Sequence, residues 1–298
     1  MSYELNWPGP IAIGGVGGSG TRVAAEILLQ LGFYLGRDLN SAHDNLWFTL
    51  LLKRPRWFLK NAGRKESHIF KGLSIFEKIM TTGLKPPYAE LGFIARAVVD
   101  IMFTGHDYLG SGRGFWPIKR AITMFRPKKT DGSQYVGWGW KEPNTHIYLE
   151  YLTKHFNHLK YIHLMRHGID MAYSRNQSQL YNWGAMLGIP VYDASIPLPR
   201  RSLKYWVEAN RKAIALGQKL LGKRFLVVNF DTLCAHPRRE IELITDFLGL
   251  DTHGAHMDKL EKLPQFPPSA GRYKKHDLSV FSQDEIASVK ELGFIVDG

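Results

Sequence analysis

A glycine-rich turn near the start of the chain constrains the fold more than any other feature of the sequence. Residues Gly14 to Arg22 read GGVGGSGTR, and a short apolar run that begins at Pro10 leads into them. Thr21 to Leu31 then has apolar residues at helical spacing. A strand, a glycine turn and a helix in this order direct backbone N–H groups at the head of the helix, where a phosphate binds well. We therefore predict a phosphate site here, and a glycine turn without a ligand is the alternative.

Later segments repeat the alternation of strand and helix. Tyr161 to Arg166 has the pattern of a buried strand, with helical patterns at His146 to Phe156 before it and from about Met171 after it. Phe225 to Phe230 has the pattern of another strand, and the helix after it opens at Pro237 and stops at Gly249. This alternation predicts an α/β fold with a central parallel β-sheet flanked by helices.

The pattern changes between Asp38 and Gln134, where helical pieces, aromatic residues and Pro/Gly breaks replace the strand signal. The clearest element is an amphipathic helix from Tyr88 to Phe103. A second amphipathic helix, Ser202 to Leu221, follows later and includes Asn210 on its apolar stripe, where a buried amide needs a hydrogen-bond partner. We predict one domain over residues 1–298, with a helical insertion at about 38–134.

The charge of the chain narrows the class of partner. A formal net charge of +12 indicates an anionic substrate or partner. The basic residues are scattered and form no nucleic-acid recognition motif, so we expect no nucleic-acid partner. The longest apolar cluster, Leu46 to Leu52, is far shorter than a membrane span, and we expect none. The single cysteine, Cys234, and the lack of a signal-like start favour a cytoplasmic location. The oligomeric state stays open.

The glycine turn departs from the loop of ATP-hydrolysing proteins. Gly15 and Gly20 have the spacing of the pattern GxxxxGK[ST], but Thr21 replaces the lysine and Arg22 replaces the hydroxyl residue that holds Mg²⁺. These replacements disfavour metal-assisted hydrolysis of a nucleoside triphosphate. We expect no metal, since the remaining histidines also lack a metal-binding pattern.

A second phosphate contact is predicted at the end of a strand. Arg166 ends its predicted strand, and Ser174 follows eight residues later in the next predicted helix. Ligands of open α/β sheets bind outside the carboxyl ends of the strands, where an arginine offers two parallel hydrogen bonds to a phosphate. A structural salt bridge is the alternative for such an arginine.

Together, the glycine turn and the Arg166/Ser174 pair resemble the sulfotransferase family that uses 3′-phosphoadenosine-5′-phosphosulfate (PAPS). Three further segments are similar to parts of that family: Trp138 to Leu152, the late strand and helix from Phe225 to Leu250, and the loop GRYKK from Gly271 to Lys275. The resemblance runs from about Pro10 to Lys275, apart from the unmatched insertion.

The resemblance implies transfer of the sulfuryl group from PAPS to a hydroxyl or amine of a small-molecule or glycan acceptor, which releases adenosine 3′,5′-bisphosphate. A nucleotide kinase or another P-loop phosphotransferase is one alternative, and a catalytically inactive nucleotide-binding protein is another. The resemblance also assigns nucleotide contacts. The 5′-phosphosulfate would lie against Gly17, Gly18, Ser19, Gly20, Thr21 and Arg22, and the 3′-phosphate end against Arg166, Ser174, Arg272, Tyr273 and Lys274.

The catalytic groups are less constrained. Many family members have a lysine beside the leaving phosphate where this chain has Gly18, so another cation must stabilise the charge that develops there. Arg22 and Lys141 are the candidates, although Lys141 could instead form a surface ion pair with Glu142. For the general base we favour Asp44 and His43 over Glu142, with helix capping or a surface role as the alternative for each.

Overall fold

A five-stranded parallel sheet organises the fold. The computed structural model describes residues 9–107, 110, 112–126, 134–251 and 255–296. The strands lie in the order β2-β3-β1-β4-β5, and all pairs are parallel. Their bounds are β1 Ile11–Gly15, β2 Phe33–Tyr34, β3 Gly137–Lys141, β4 Lys160–Met165 and β5 Phe225–Asn229. The sheet confirms the predicted α/β class with a central parallel sheet.

Helices cover both faces of this sheet. The α-helices of the described residues are α1 Thr21–Gln30, α2 Leu46–Leu51, α3 Pro55–Asn61, α4 Glu66–Met80, α5 Leu91–Thr104, α6 Trp116–Met124, α7 Leu149–His155, α8 Gly168–Ala172, α9 Ser178–Trp183, α10 Leu198–Leu221, α11 Phe230–Ala235, α12 Pro237–Leu248, α13 Ala255–Leu260 and α14 Gln283–Glu291. Alternate residues of β1 face two different hydrophobic clusters, with Ala12 in one and Ile11 and Ile13 in the other. The central strand is therefore covered on both sides, as a parallel sheet requires.

Strand register brings several strand ends to one edge. Ile13 of β1 lies opposite Lys141, the last residue of β3, and Gly15 lies opposite Leu164 near the end of β4. Met165 in turn pairs with Asn229, the last residue of β5. The turn after β1 therefore begins beside the ends of β3 and β4, which is where ligands bind in open α/β sheets.

The segment between β2 and β3 is helical, as predicted. It contains α2 to α6, and its described residues include no strand. Aromatic side chains tie it to the sheet: the Phe48 ring of α2 stacks on Trp140 of β3 at 5.8 Å, and Phe76 of α4 meets the same ring edge-on at 5.2 Å. The insertion thus shares a core with the sheet, and its assignment to one domain over residues 1–298 remains our proposal.

Two local expectations have clear outcomes. The buried amide of Asn210 has the partner that its position requires, because its Oδ1 lies 2.9 Å from Nε2 of His163. The helix after β4, however, was predicted wrongly, since α8 starts before Met171 and ends before Ser174. The side chain of Gln177 donates hydrogen bonds to the carbonyl groups of Met171, Ala172 and Ser174, which satisfies the end of the helix there. Ser174 therefore lies in a loop.

None of the helices in the described ranges combines the length and the apolar character that a bilayer-spanning segment needs.

Candidate active site

A cavity of about 540 Å³ with several charged side chains in its wall opens at the carboxyl edge of the sheet. Three parts of the chain enclose it: the turn between β1 and α1, the end of β3 with residues of the insertion, and the segment from α8 to α10. Its charged and histidine lining residues are Arg22, Asp44, Lys53, His106, Asp107 and Lys141. The cavity therefore combines main-chain N–H groups with side chains of both charges.

The glycine turn has a backbone that other residues do not adopt easily. Gly18 and Gly20 have φ angles of 89° and 83°, in the left-handed region. A Cβ on Gly20 would also lie 2.0 Å from the ring of Phe230, so the turn is held tightly against α11. Gly20 caps α1 without a side-chain hydrogen bond. The first N–H groups of α1 thus have no intrahelical partner at the point where the helix meets the cavity.

Five of the six predicted turn residues line the cavity, and Ser19 does not. The Ser19 side chain is fully buried, and its hydroxyl donates to the carbonyl oxygen of Val16 at 2.5 Å. Its backbone N–H donates to the same oxygen at 3.1 Å. The hydroxyl of Ser19 therefore closes the turn on itself, and the structure does not support its predicted contact with a nucleotide.

Lys141 is buried at the end of β3, with its side chain 3% exposed. Its Nζ donates to Asp44 Oδ1 at 2.5 Å and to the carbonyl oxygen of Ala42 at 3.0 Å. The alternative of a surface pair with Glu142 is wrong, because both residues are buried and Glu142 binds Asn144 and Lys53 instead. Lys141 is therefore a cation held in the cavity wall. Arg22, the other candidate cation, is exposed and lines both this cavity and a smaller one beside it.

The structure separates the two predicted bases. Asp44 lines the main cavity, but both of its carboxylate oxygens already accept hydrogen bonds, from Lys141 and from Asn40. His43 lines only the smaller cavity, where its Nε2 lies 2.7 Å from a carboxylate oxygen of Glu26. His43 is thus not brought to the main cavity, and Asp44 acts there as the partner of a cation.

A second buried carboxylate, that of Glu142, holds two residues of the cavity wall. Glu142 is fully buried, and its two oxygens accept hydrogen bonds from the backbone and side-chain amides of Asn144 at 2.7 and 2.8 Å. Burial raises the pKa of Glu142, whereas the Lys53 ammonium, 3.4 Å away, opposes that rise. Asn144 also accepts a hydrogen bond from Trp183 Nε1 at 2.7 Å. Glu142 therefore fixes Lys53 and Asn144 in the wall and offers no exposed atom itself.

His106 is a cavity residue that the sequence did not reveal. It follows α5 and lines the cavity with its neighbour Asp107. Burial and the nearby Lys53 ammonium lower the pKa of His106 to about 4, so the imidazole is neutral at pH 7. Its buried Nδ1 has no hydrogen-bond partner within the described ranges of the chain. The only signal in the sequence was a His-Asp pair after the glycine that ends an amphipathic helix.

Arg166 lies just beyond β4 and joins that strand end to the C-terminal loop. Its guanidinium donates to Ser269 Oγ at 3.0 Å and approaches Asp170 at 3.5 Å. Asp170 in turn accepts from the backbone N–H groups of Gly271 and Tyr273 at 2.8 and 3.1 Å. The Nε of Arg166 is buried and has no partner among the residues that the structure describes. Both readings of this arginine thus have support, because it forms a salt bridge and keeps one unused donor.

Only some of the residues predicted to contact the 3′-phosphate end line the main cavity. Ser174 lines the main cavity, whereas Arg166, Arg272, Tyr273 and Lys274 do not. Arg272 donates to the carbonyl oxygen of Tyr173 at 3.4 Å, and its pKa is lowered by burial and by the neighbouring charge of Arg166. Tyr273 is buried, with its ring stacked on His167 at 4.4 Å. The Tyr273 side chain therefore packs the loop against α8.

A metal was not expected at this site. Within residues 9–107, 110, 112–126, 134–251 and 255–296, no group of three or more His, Cys, Asp or Glu side chains is arranged to hold a metal ion.

These features define an α/β protein whose glycine turn faces a cavity with charged side chains in its wall, at the edge of a parallel sheet. A sequence model described as "Sulfotransferase family" matches residues 10–254. The chain therefore belongs to the sulfotransferase family, which confirms the resemblance inferred from its motifs. No match was found among curated proteins.

Solved structures of sulfotransferases are similar at low identity. The sulfotransferase domain of the Synechococcus PCC 7002 olefin synthase is 15% identical, with a TM-score of 0.47 over 100% of this chain and 99% of that one. Sulfotransferase STF9 from Mycobacterium avium is 13% identical, with a TM-score of 0.48 over 95% and 75% of the two chains. The sulfotransferase domain of the curacin biosynthetic pathway is 14% identical, with a TM-score of 0.46 over 97% and 99%. The family assignment rests on the sequence model.

Proposed function

We propose that this sulfotransferase transfers the sulfuryl group of PAPS to a hydroxyl or amine of a small-molecule or glycan acceptor. The observation that carries the proposal is the convergence of the glycine turn, Lys141 and His106 on one cavity. The turn offers N–H donors, Lys141 a buried cation and His106 a neutral base. These are the three functions that a sulfuryl transfer needs: anion binding, charge stabilisation and proton removal.

Groups of the glycine turn and of the residues that flank α8 in the chain support binding of the donor nucleotide. The N–H groups at the head of α1 suit the 5′-phosphosulfate. Ser174 lines the cavity, and the unused Nε of Arg166, which precedes α8 in the chain, supports a 3′-phosphate contact. Arg272 adds a second guanidinium there, close enough to Arg166 for their charges to interact. A phosphate would relieve the repulsion between these cations.

The proposed reaction is a direct displacement. The acceptor oxygen or nitrogen forms a bond to sulfur while the bond between sulfur and the bridging oxygen of PAPS breaks. The electron pair stays on that oxygen, which becomes part of adenosine 3′,5′-bisphosphate, and Lys141 stabilises its charge. The acceptor proton passes to the imidazole of His106, which lines the cavity. Asp44 holds Lys141 in place, and the general base is thus His106 in place of the two residues favoured from the sequence.

A binding experiment tests the nucleotide part of this proposal. Adenosine 3′,5′-bisphosphate at saturating concentration should raise the melting temperature by roughly 5 °C, and AMP and ATP should raise it much less. Arg166→Ala should lose the preference for the bisphosphate. Arg200→Ala, which removes an equal charge from an exposed ion pair with Glu285, should keep it. Equal shifts for AMP and the bisphosphate would remove the 3′-phosphate site from the proposal.

Transfer assays separate the remaining alternatives. Labelled sulfate from PAPS should appear on at least one compound in a panel of hydroxyl and amine acceptors, without added metal. Turnover of ATP that requires Mg²⁺ would favour a P-loop phosphotransferase. Tight binding of the bisphosphate with no transfer to any acceptor would favour a nucleotide-binding protein without catalysis.

The cytoplasmic location stays part of the proposal. Fractionation of cells that produce the full chain, followed by immunodetection, would test it.

A further inference from the structure

The outer face of the insertion is unusually apolar for a surface. Of the fourteen large hydrophobic residues that are exposed in the described part of the chain, six lie between residues 91 and 122. The side chains of Phe103 and Phe115 are 72% and 77% exposed. The other four are Leu91, Val99, Ile118 and Ile122. Such a concentration on a soluble surface marks an interaction site.

On α5 the exposed residues form one stripe. At 3.6 residues per turn, Leu91, Val99, Phe103 and the basic Arg96 fall within an arc of about 140°. Ile94, Ala97 and Ile101 lie on the opposite side and are buried in the core. Because the core side of the helix is already filled, the exposed stripe is a second apolar face.

On α6 the exposed residues form a similar stripe, and the two helices pack against each other. Ile118, Lys119 and Ile122 share about 100° of the helical circumference. The exposed Phe115 and Arg126 lie just before and just after the helix. The whole face is thus a mixture of apolar and basic side chains on two neighbouring helices.

The exposed charges of this face have one sign. In the described part of residues 91–126, every exposed charged side chain is basic, namely Arg96, Arg113, Lys119 and Arg126. The acidic residues of the same range are Asp100, which pairs with the buried Arg54 at 3.2 Å, and Asp107, which is buried. The partner of this face must therefore be both apolar and anionic.

A basic cleft adjoins the stripe of α5. It has a volume of about 450 Å³ and lies between α3, α4 and α5. Its cationic lining residues are Arg54, Arg56, Lys60, Lys65 and Arg96, and its one carboxylate is Asp100. The guanidinium of Arg54 lies 4.1 Å from the ring of Trp57, which fixes it in the wall. Arg96 borders both the cleft and the apolar stripe, so the two features share one helix.

We propose that the α5–α6 face docks on an anionic lipid surface, with its apolar side chains inserted at the interface and a lipid phosphate in the basic cleft. Apolar residues flanked by Lys and Arg bind such surfaces through burial and through attraction to acidic headgroups. A second copy of the chain fits less well. A two-fold contact would bring this face against itself and oppose its basic side chains.

Vesicle flotation tests the docking. The protein should float with vesicles that mix phosphatidylglycerol with phosphatidylcholine and remain behind with phosphatidylcholine alone, and salt should weaken the binding. The double variant Phe103→Ser/Phe115→Ser should lower the partition coefficient about tenfold or more. Leu243→Ser, which removes an exposed leucine from α12, should not change it.

Variants of single basic side chains test whether charge contributes to vesicle binding. Lys119→Gln and Arg96→Gln should each lower binding about fivefold, whereas Lys223→Gln, an equal loss of charge outside the face, should have little effect. Glycerol phosphate should bind the free protein less tightly when anionic vesicles are present, because both compete for the cleft, and binding that the vesicles leave unchanged would assign the cleft to a small soluble anion instead.

Three results would overturn the proposal. One is the absence of binding to either kind of vesicle, and another is binding that the face variants leave unchanged. The third is a wild-type dimer in sedimentation that becomes a monomer in Phe103→Ser/Phe115→Ser, which would assign the face to a second copy. None of these results depends on sulfuryl transfer, so the docking and the proposed activity can fail separately.

Discussion

The edge of the sheet and the helical insertion contribute to one cavity by different means. At the sheet edge the contributions are main-chain N–H groups of the turn and residues at strand ends, such as Lys141. From the insertion come single side chains in connections between helices, namely Lys53 after α2 and His106 after α5. The first set follows from topology, because parallel strands end at the same edge. The second depends on how several helices pack.

The two regions also meet in specific contacts. Lys141 of β3 binds Asp44, and Lys53 approaches Glu142, so each side of the cavity supplies one cation and one carboxylate. This pairing keeps the cations in place before any anion arrives, which suits a site that must stabilise developing charge without rearranging. Under the proposed function, the two regions would divide the labour: the sheet edge would bind the nucleotide and stabilise the leaving group, and the insertion would activate the acceptor.

The largest effect should come from Lys141. Lys141→Met should lower kcat about a thousandfold, because a buried cation beside the leaving oxygen acts mainly in the transition state. Single-turnover rates with PAPS should fall while the affinity for adenosine 3′,5′-bisphosphate changes much less. Lys141→Met leaves the Asp44 carboxylate without its ion-pair partner, which could destabilise the fold. The double variant Lys141→Met/Asp44→Asn removes that unpaired charge and serves as the control for folding. A greater loss in Arg22→Ala than in Lys141→Met would assign the leaving-group cation to Arg22.

A smaller but distinct effect is expected on the insertion side. His106→Gln should lower kcat about a hundredfold, because the acceptor loses its proton acceptor, and should leave bisphosphate affinity within about twofold. His43→Gln is the matched control and should have little effect. In the wild type, kcat/KM should fall as the pH drops through about 4, because His106 becomes protonated there. At higher pH, the protonation state of His106 should cause no change in kcat/KM. Equal losses in nucleotide affinity and in kcat would contradict the division of labour.

The contrast between the sheet edge and the insertion also explains which parts of the fold and of the site could be predicted from the sequence. The strand, turn and helix from Pro10 to Leu31 follow from local apolar spacing and glycine placement, and the structure has each of them within a few residues. Arg166 at the end of β4 was likewise visible, since topology puts strand ends at the ligand edge. These are local patterns that tertiary packing did not override.

The rest depends on long-range packing. The local His-Asp pair does not reveal the place of His106 in the cavity, because that place depends on burial and on Lys53, which lies 53 positions earlier in the chain. Ser174 was placed in a helix because the sequence does not show that Gln177 would satisfy the carbonyl groups at the end of α8. The pairing of Lys141 with Asp44 in place of its neighbour Glu142 is likewise a long-range contact, between residues 97 positions apart.

The next expected effect concerns nucleotide affinity. Ser174→Ala should weaken binding of adenosine 3′,5′-bisphosphate about tenfold, since a hydroxyl donor to a charged phosphate is lost, and should leave AMP binding unchanged. Calorimetric titration measures both constants. Ser178→Ala, a serine of the same cavity that begins α9, is the control and should behave like the wild type. Equal weakening for the bisphosphate and AMP would place Ser174 elsewhere on the nucleotide.

The smallest effect separates structure from binding within the glycine turn itself. Ser19→Ala removes a buried hydrogen bond to Val16 and should lower the free energy of unfolding by about 1 kcal/mol, as urea denaturation would show. The kcat of the folded enzyme should remain unchanged, because the hydroxyl points into the turn and away from the cavity. Ser41→Ala, at an exposed position, should change neither quantity. A loss of kcat in Ser19→Ala with normal stability would mean that the hydroxyl turns outward when the nucleotide binds. The glycine turn at the sheet edge would then have to rearrange on binding.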